Sequence, residues 1–264
     1  MALRYEVRAH NLSAQSENKI HDDSVARRFG FRGALVPGVE VYAYACHPAV
    51  QRWGRAWLER GTAECRFLSP VHDEELVEVE AEADGEGLAL TVRRGETVCA
   101  TGRADLPAAT PPAESPEGKA PPWRAPPAER PPASEASLAP GAILGTAPLE
   151  VTPEAAAAYL AAVRETDPLY AEAGLVHPGM VLRLCNQALV QNVVLGPWIH
   201  TGSRVRNRAA ARLGDSLVAR ARVTANAERK GHKIVELAVL VTNGAGAAIA
   251  EVDHVAIWRP RQLA

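Results

Sequence analysis

The chain has 264 residues, 47% of them hydrophobic, and its 29 basic and 31 acidic side chains leave a net charge of −2. That length holds one large domain or two ordinary ones with a packed core, and the intermixed charges give no field that favours nucleic acid or an anionic membrane. Cys46, Cys65, Cys99 and Cys185 form no C-x-x-C pair, the first residues lack a signal-peptide core, and no apolar run reaches the roughly 18–20 residues that span a bilayer; the expectation is a reduced, cytoplasmic protein with inert thiols and no bound metal.

Leu3 to Leu12 reads as a weak strand or lead-in. A polar cluster follows, with Ser16, Glu17, Asn18, His21, Asp22 and Asp23 ahead of a short amphipathic turn to Phe29, where the two aspartates are placed to cap a helix start. Gly30, Gly33 and Pro37-Gly38 then precede an apolar helix expected from Gly38 through Val39, Val41, Tyr42 and Ala45 toward Val50 and Trp53. A Pro-Gly pair at that point leaves the first helical N–H groups free to meet a carbonyl that becomes an oxyanion, and an upstream His beside a carboxamide is suited to moving a proton. This order of residues points to acyl-group chemistry.

After Gly54 the pattern alternates. Ala63, Cys65 and Phe67, then Leu76, Val77 and Val79, then Leu88, Leu90 and Val92, then Val98, Ala100 and Gly102 predict four strands joined by turns such as Asp84-Gly85 and Arg94-Gly95. From Pro107 to Pro140 there are eleven prolines, a composition that builds neither sheet nor long helix and reads as an extended linker lying over or beside the domains.

Beyond the linker the plan repeats. Thr152 caps a helix from Pro153 to Arg164; Asp167-Pro168-Leu169-Tyr170, Gly174 and His177-Pro178-Gly179 come next, then an apolar helix expected from Met180 to Val194. Four strands follow: Ile199 to Arg206, Ser216 to Val223, Lys233 to Thr242 and Ala248 to Trp258. Gly38 and Gly179 are 141 residues apart and Glu75 and Asp215 are 140 apart, so the register is nearly constant through both copies. Each half should bury its long helix against one face of a curved antiparallel sheet, and the two sheets should pair edge to edge as a dimer would.

The segment Asn18-Lys19-Ile20-His21-x-Asp23 through Val36-Pro37-Gly38, together with the duplication, resembles the MaoC-like hydratase and dehydratase superfamily in its double hotdog form, over essentially the whole chain outside the linker. The resemblance implies an α+β, pseudo-dimeric fold with an N-terminal hotdog domain over 1–106, the linker over 107–144 and a C-terminal hotdog domain over 145–264. It implies hydration or dehydration of a 2-enoyl or 3-hydroxyacyl thioester, with coenzyme A or acyl carrier protein as carrier, no other cofactor, and an association of two such chains. Asn18 and His21 fall on the Asn and His of the superfamily motif D-x-N-P-[IL]-H, and Gly38 on its oxyanion glycine; Ser16 stands at the motif's Asp, with Glu17 beside it, and Lys19 at its Pro. In the second copy Glu165, Asp167 and Tyr170 stand for the Asp, Asn and His, at about half the distance from Pro178-Gly179. By analogy, the catalytic set is His21, Asn18 and Gly38, and the substrate-binding set is Pro37, Val39, Asp167, Tyr170, His177 and Gly179.

Two other readings stay open. A thioesterase of the same fold needs a carboxylate beside a helix N-terminus, for which Glu17, Glu40 and Asp167 are the candidates; a non-catalytic acyl-thioester binding or partner subunit is suggested by Ser16 and Tyr170 replacing motif residues in opposite halves. Arg204, Arg206, Arg208 and Arg212 read chiefly as a solvated strand face, with coenzyme A phosphates as their functional alternative. His200, His232 and His254 read as strand-face or loop residues. No G-x-G-x-x-G, Walker-type loop, G-x-S-x-G elbow or H-E-x-x-H occurs, which sets aside nucleotide, serine-hydrolase and zinc-protease chemistry.

Overall fold

A computed structural model of the chain describes residues 2–29, 31–109 and 120–261. Gly30 and linker residues 110–119 lie outside the described residues. The chain opens with strand β1 (Leu3–Arg8), a single 3-10 turn at Lys19–His21 and helix α1 (Asp23–Arg28), whose first amides are capped by the Asp22 carboxylate. Helices α2 (Gly38–Trp53) and α3 (Arg55–Arg60) lead into β2 (Thr62–Phe67), β3 (Leu76–Asp84), β4 (Gly87–Arg94) and β5 (Thr97–Asp105). The second half contains β6 (Ile143–Gly145), β7 (Leu149–Glu150), α4 (Pro153–Ala162), α5 (Leu169–Ala173), α6 (Pro178–Val190), β8 (Ile199–Asn207), β9 (Ser216–Arg229), β10 (His232–Thr242) and β11 (Ala248–Arg259).

The strands form one antiparallel sheet in the order β1-β3-β4-β5-β2-β8-β11-β10-β9-β6, with β7 also on β9. The halves join where β2 meets β8 in the register Ala63↔Val205 and Cys65↔Ser203. Sequence alternation explains the wrap: in β3, Val77, Val79 and Ala81 point inward and are buried, while glutamates between them face out. Helix α2 is apolar around most of its circumference and is buried from Val39 to Val50, as a central helix must be. It packs against α6; a Cβ on Gly179 would stand 2.8 Å from Ala43 Cβ, so glycine lets the two central helices approach.

Several element boundaries differ from the sequence expectation: β9 runs on to Arg229 rather than ending at Val223, and α6 starts at Pro178 rather than Met180. Helix α6 stops at Val190 rather than Val194, because Val194 N–H donates to Pro131 O (2.8 Å) and its carbonyl accepts from Ala133 N–H (2.9 Å), which removes those groups from the helix ladder. Helix α4 stops at Ala162, and Arg164 takes a left-handed φ of 57°. The latter part of the Pro-rich stretch is pinned to the C-terminal half: Leu138 is fully buried, its carbonyl accepts from Asn226 Nδ2 (3.0 Å), and Trp123 Nε1 donates to Thr146 O (3.2 Å). All four cysteines are buried and unpaired, and no helix among the described residues is long and apolar enough to cross a membrane.

Candidate active site

The polar segment is anchored by Ile20, which is buried in a small apolar cluster with Ala26 and Leu35 and so fixes the 3-10 turn. Asn18, buried in turn, reaches across to the other half of the chain: its Nδ2 donates to Trp198 O (3.0 Å) and its Oδ1 accepts from Trp198 N–H (3.2 Å). Because a backbone N–H can only donate and a carbonyl can only accept, these two bonds fix which end of the carboxamide is which. The second hydrogen on Nδ2 faces His21 Nε2 at 3.3 Å.

His21 Nδ1 lies 2.6 Å from Leu35 O, so Nδ1 carries the proton and Nε2 keeps its lone pair. Burial pushes the imidazole pKa down to about 4, against the pull of the Leu35 carbonyl and with a smaller push from Arg183. At neutral pH the ring is uncharged, with its basic nitrogen held toward Asn18.

Beside it, α2 begins without a side-chain cap, since its N-cap residue is Pro37. Pro37 and Gly38 form part of the wall of a cavity of about 240 Å³ that Asn18, His21, Phe67 and Trp198 also line; the remaining wall is largely apolar. A second cavity of about 560 Å³ shares Asn18, His21, Asn186 and Trp198 with the first and is lined on its far side by Val39, Arg130, Arg183 and Gln187. Asn18 and His21 therefore stand at the junction of an apolar chamber and a polar one, with an uncapped helix N-terminus in the apolar chamber.

The second copy of the motif is built differently, and here the sequence expectation is corrected. Asp167, Tyr170, His177 and Gly179 line none of these cavities. His177 Nδ1 accepts the Gly179 N–H at 3.0 Å and caps α6, so the amide expected to meet a thioester oxygen is already taken. Asp167 Oδ1 accepts from Leu169 N–H (2.9 Å) and closes the turn into α5, and Tyr170 is buried with its ring against His177. Glu165 is the centre of this cluster: its carboxylate meets His47 Nδ1 at 2.6 Å and His177 Nε2 at 3.4 Å and accepts the Thr166 and Asp167 amides. Burial alone would raise the Glu165 pKa, but the donors from His177 and His47 outweigh it and hold the carboxyl well below the usual range. His47 comes from α2 and stacks on Tyr5 at 3.8 Å, so the cluster ties the halves together.

The carboxylates considered for a thioesterase are similarly committed. Glu17 pairs with Arg130 (2.9 Å); Glu40 is fully buried, pairs with Arg183 and lines neither cavity at His21, and burial raises its pKa to about 7 in spite of that arginine. Arg204, Arg206 and Arg208 pair with Glu64, Asp253 and Glu251 and line neither cavity at His21; the basic side chains at the polar cavity are Arg130 and Arg183, paired in turn with Glu17 and Glu40. Sequence reasoning did not find Trp198, Asn186, Arg183 or His200 at the site. Arg183 and Asn186 enter from α6, which packs on α2, and Trp198 and His200 from the start of β8, which pairs with β2; both contacts are between the halves.

No protein-family profile matches the sequence, and no curated protein matches it either. Solved structures do resemble the fold. A MaoC domain dehydratase from Chloroflexus aurantiacus J-10-fl superposes with a TM-score of 0.63 at 11% identity, covering 98% of this chain and 95% of its own. A conserved Mycobacterium tuberculosis protein with a double hotdog fold gives 0.63 at 16% identity, covering 97% and 95%. A thioesterase structure from Novosphingobium aromaticivorans gives 0.54 at 13% identity, covering 97% and 96%. The chain has the double hotdog fold, one shared with MaoC-like dehydratases and with thioesterases.

Proposed function

We propose that this double hotdog is an acyl-thioester hydratase or dehydratase. Its substrate is a 2-enoyl or 3-hydroxyacyl thioester delivered on coenzyme A or acyl carrier protein, and its one active centre is in the N-terminal half. The observation that carries the reading is the lone pair of His21 Nε2, kept neutral at the junction of the polar and apolar chambers beside the uncapped start of α2. The acyl chain fits the apolar chamber, and the carrier arm fits the polar chamber, where Arg130 and Arg183 suit its phosphates and amides.

In hydration, His21 Nε2 takes a proton from water as the oxygen bonds to C3, while the C2=C3 electron pair moves toward the thioester oxygen at the Gly38 amide. The protonated His21 then returns that proton to C2, and dehydration is the reverse. Asn18 orients the ring through the Nδ2–H that faces His21 Nε2. One oxyanion donor contributes about 3 kcal/mol to the barrier and positioned acid–base transfer about 10²- to 10⁴-fold in rate. The carrier arrives with the substrate, and the chain's own groups perform each of these steps.

The test is loss of crotonyl-CoA absorbance on addition of the protein, with a longer enoyl-CoA as second substrate and His21→Ala alongside. Hydration that disappears in the variant supports the reading. Thioester binding without turnover of either substrate would replace it with a binding subunit, and release of free thiol would replace it with a thioesterase.

A further inference from the structure

His200 stands at the start of β8, on the C-terminal half, and it is 5% exposed. Three residues on, Ser203 should face the opposite side of the strand. It does not, because the pairing of β8 with β11 shifts register between Gly202↔Val255 and His200↔Ala256, a bulge at Thr201. The extra residue turns both side chains to one face, where His200 Nε2 meets Ser203 Oγ at 2.9 Å and Ser203 Oγ meets His254 Nδ1 at 3.0 Å. The two imidazole rings stack at 4.2 Å.

Among the described residues this three-member chain has a partnerless buried nitrogen at each end, His254 Nε2 and His200 Nδ1, and the second of these lies at the cavity. His200 Nδ1 is buried and has no hydrogen-bond partner among the described residues, a costly condition for a buried polar atom. It is aimed at the start of α2: a Cβ on Gly38 would stand 3.0 Å from Nδ1 and 2.8 Å from the Phe67 ring, so only glycine leaves that approach clear. His200 also lines the apolar chamber with His21. Burial lowers its pKa to about 3, so the ring stays neutral. A neutral imidazole offers one N–H, and the Ser203 hydroxyl is placed to choose which: donating to Nε2 and accepting from His254 Nδ1, it leaves the proton of His200 on Nδ1, whereas the reversed hydroxyl leaves it on Nε2.

We propose that His200 is a second catalytic side chain, contributed by the C-terminal half, whose Nδ1–H donates to the substrate's thioester carbonyl oxygen beside the Gly38 amide while Ser203 and His254 hold it in that tautomer. The inference rests on the acyl-thioester reading of the site. It assigns the second half of the duplication a share in the oxyanion site, and it accounts for the unpartnered His200 Nδ1 and for the bulge.

The experiment compares wild-type protein with His200→Leu, His200→Asn and His200→Gln. Turnover of crotonyl-CoA is one readout, and the infrared carbonyl band of bound crotonyl-CoA labelled with ¹³C at the thioester carbon is the other. Asparagine places its amide where Nδ1 sits, and glutamine places its amide where Nε2 sits. The expected result is a carbonyl frequency lowered further in wild type and in His200→Asn than in His200→Leu and His200→Gln, where the Gly38 amide is the remaining donor. With it goes a fall in kcat of about 10²-fold at nearly constant KM in the latter two. A merely structural bond to Ser203 predicts the opposite order, with glutamine tolerated and asparagine not, and that order overturns the proposal. If His200→Leu does not fold, the Asn and Gln variants decide. A carbonyl shift without turnover in wild type that shrinks in His200→Leu would reject the hydratase reading and keep His200 as a donor; a band at the same frequency in wild type and His200→Leu overturns the donor role itself.

Discussion

The two central helices of this molecule start from the same Pro-Gly pair and end in opposite chemical states. Helix α2 begins behind Pro37 with no side-chain cap, against a cavity; α6 begins with its Gly179 amide bonded to His177, which faces buried Glu165. The difference comes down to whether a side chain satisfies the first amides. An open N-terminus is costly unless water or a ligand fills it, whereas a capped one contributes to the core. One copy leaves its helix start open while the other acts as a fastener: through Glu165 it grips His47 of α2, so the capped copy holds the open one in place.

The sharpest way to break this comparison is to remove the one base on the open side. His21→Ala should lower kcat/KM for a 2-enoyl thioester by about 10²- to 10⁴-fold, with little change in Tm because the ring is only partly buried. An equal loss from His177→Ala in protein that remains folded would show that the halves are not divided in this way.

On the capped side, Glu165→Ala leaves His47 and His177 facing each other across a dry space. Breaking such a buried pair costs about 3–5 kcal/mol, visible as a lower denaturation midpoint, while kcat per folded molecule should hold. A variant that keeps its stability but loses turnover would move the Glu165 cluster into the catalytic machinery.

The fold was largely legible before any coordinates. The start of α2 at Gly38, the eight main strands and the repeat all followed from period, turn chemistry and the near-constant offset between copies. What could not be read are contacts that depend on tertiary pairing. Asn18 finds Trp198 and Glu165 finds His47 from opposite halves, and no local spacing encodes either. His200 and Ser203 were invisible as a pair because ordinary strand alternation separates them, and only the bulge at Thr201 reunites them. Gly179 was misread for a physical reason: glycine serves amide exposure and helix crossing equally, and here it is the crossing that needs it.

A pH series sharpens the comparison further. His21 and His200 have folded pKa values lowered by burial to about 4 and about 3, and His177 is lowered too. Below about pH 6.5 the unfolded chain binds protons that these rings refuse. Groups whose folded pKa is depressed contribute stability above the unfolded value and lose it as pH falls toward the folded one. Stability should therefore decline from about pH 6.5 downward, by about 2 kcal/mol at pH 5 for each of His21 and His200, with His177 adding a loss in the same direction. Glu165, also depressed, adds its loss only below the ordinary carboxylate range. A denaturation midpoint that stays flat from pH 7 to pH 5 would mean that these rings are protonated in the fold.

The smallest effect expected concerns the motif position that the open half lacks. Ser16 lines the polar chamber together with Asn18 and His21 and stands where the superfamily motif carries an aspartate. A carboxylate there would favour the protonated ring, so Ser16→Asp should raise the His21 pKa from about 4 toward neutrality. A base nearer the working pH transfers protons more efficiently, and the gain in kcat should be a few-fold. The signature is the acid limb of the kcat/KM profile, which should move upward in pH by about one unit in the variant. If the limb does not move, the carboxylate does not reach the ring, and the missing aspartate is no measure of how far the open half has drifted from catalysis.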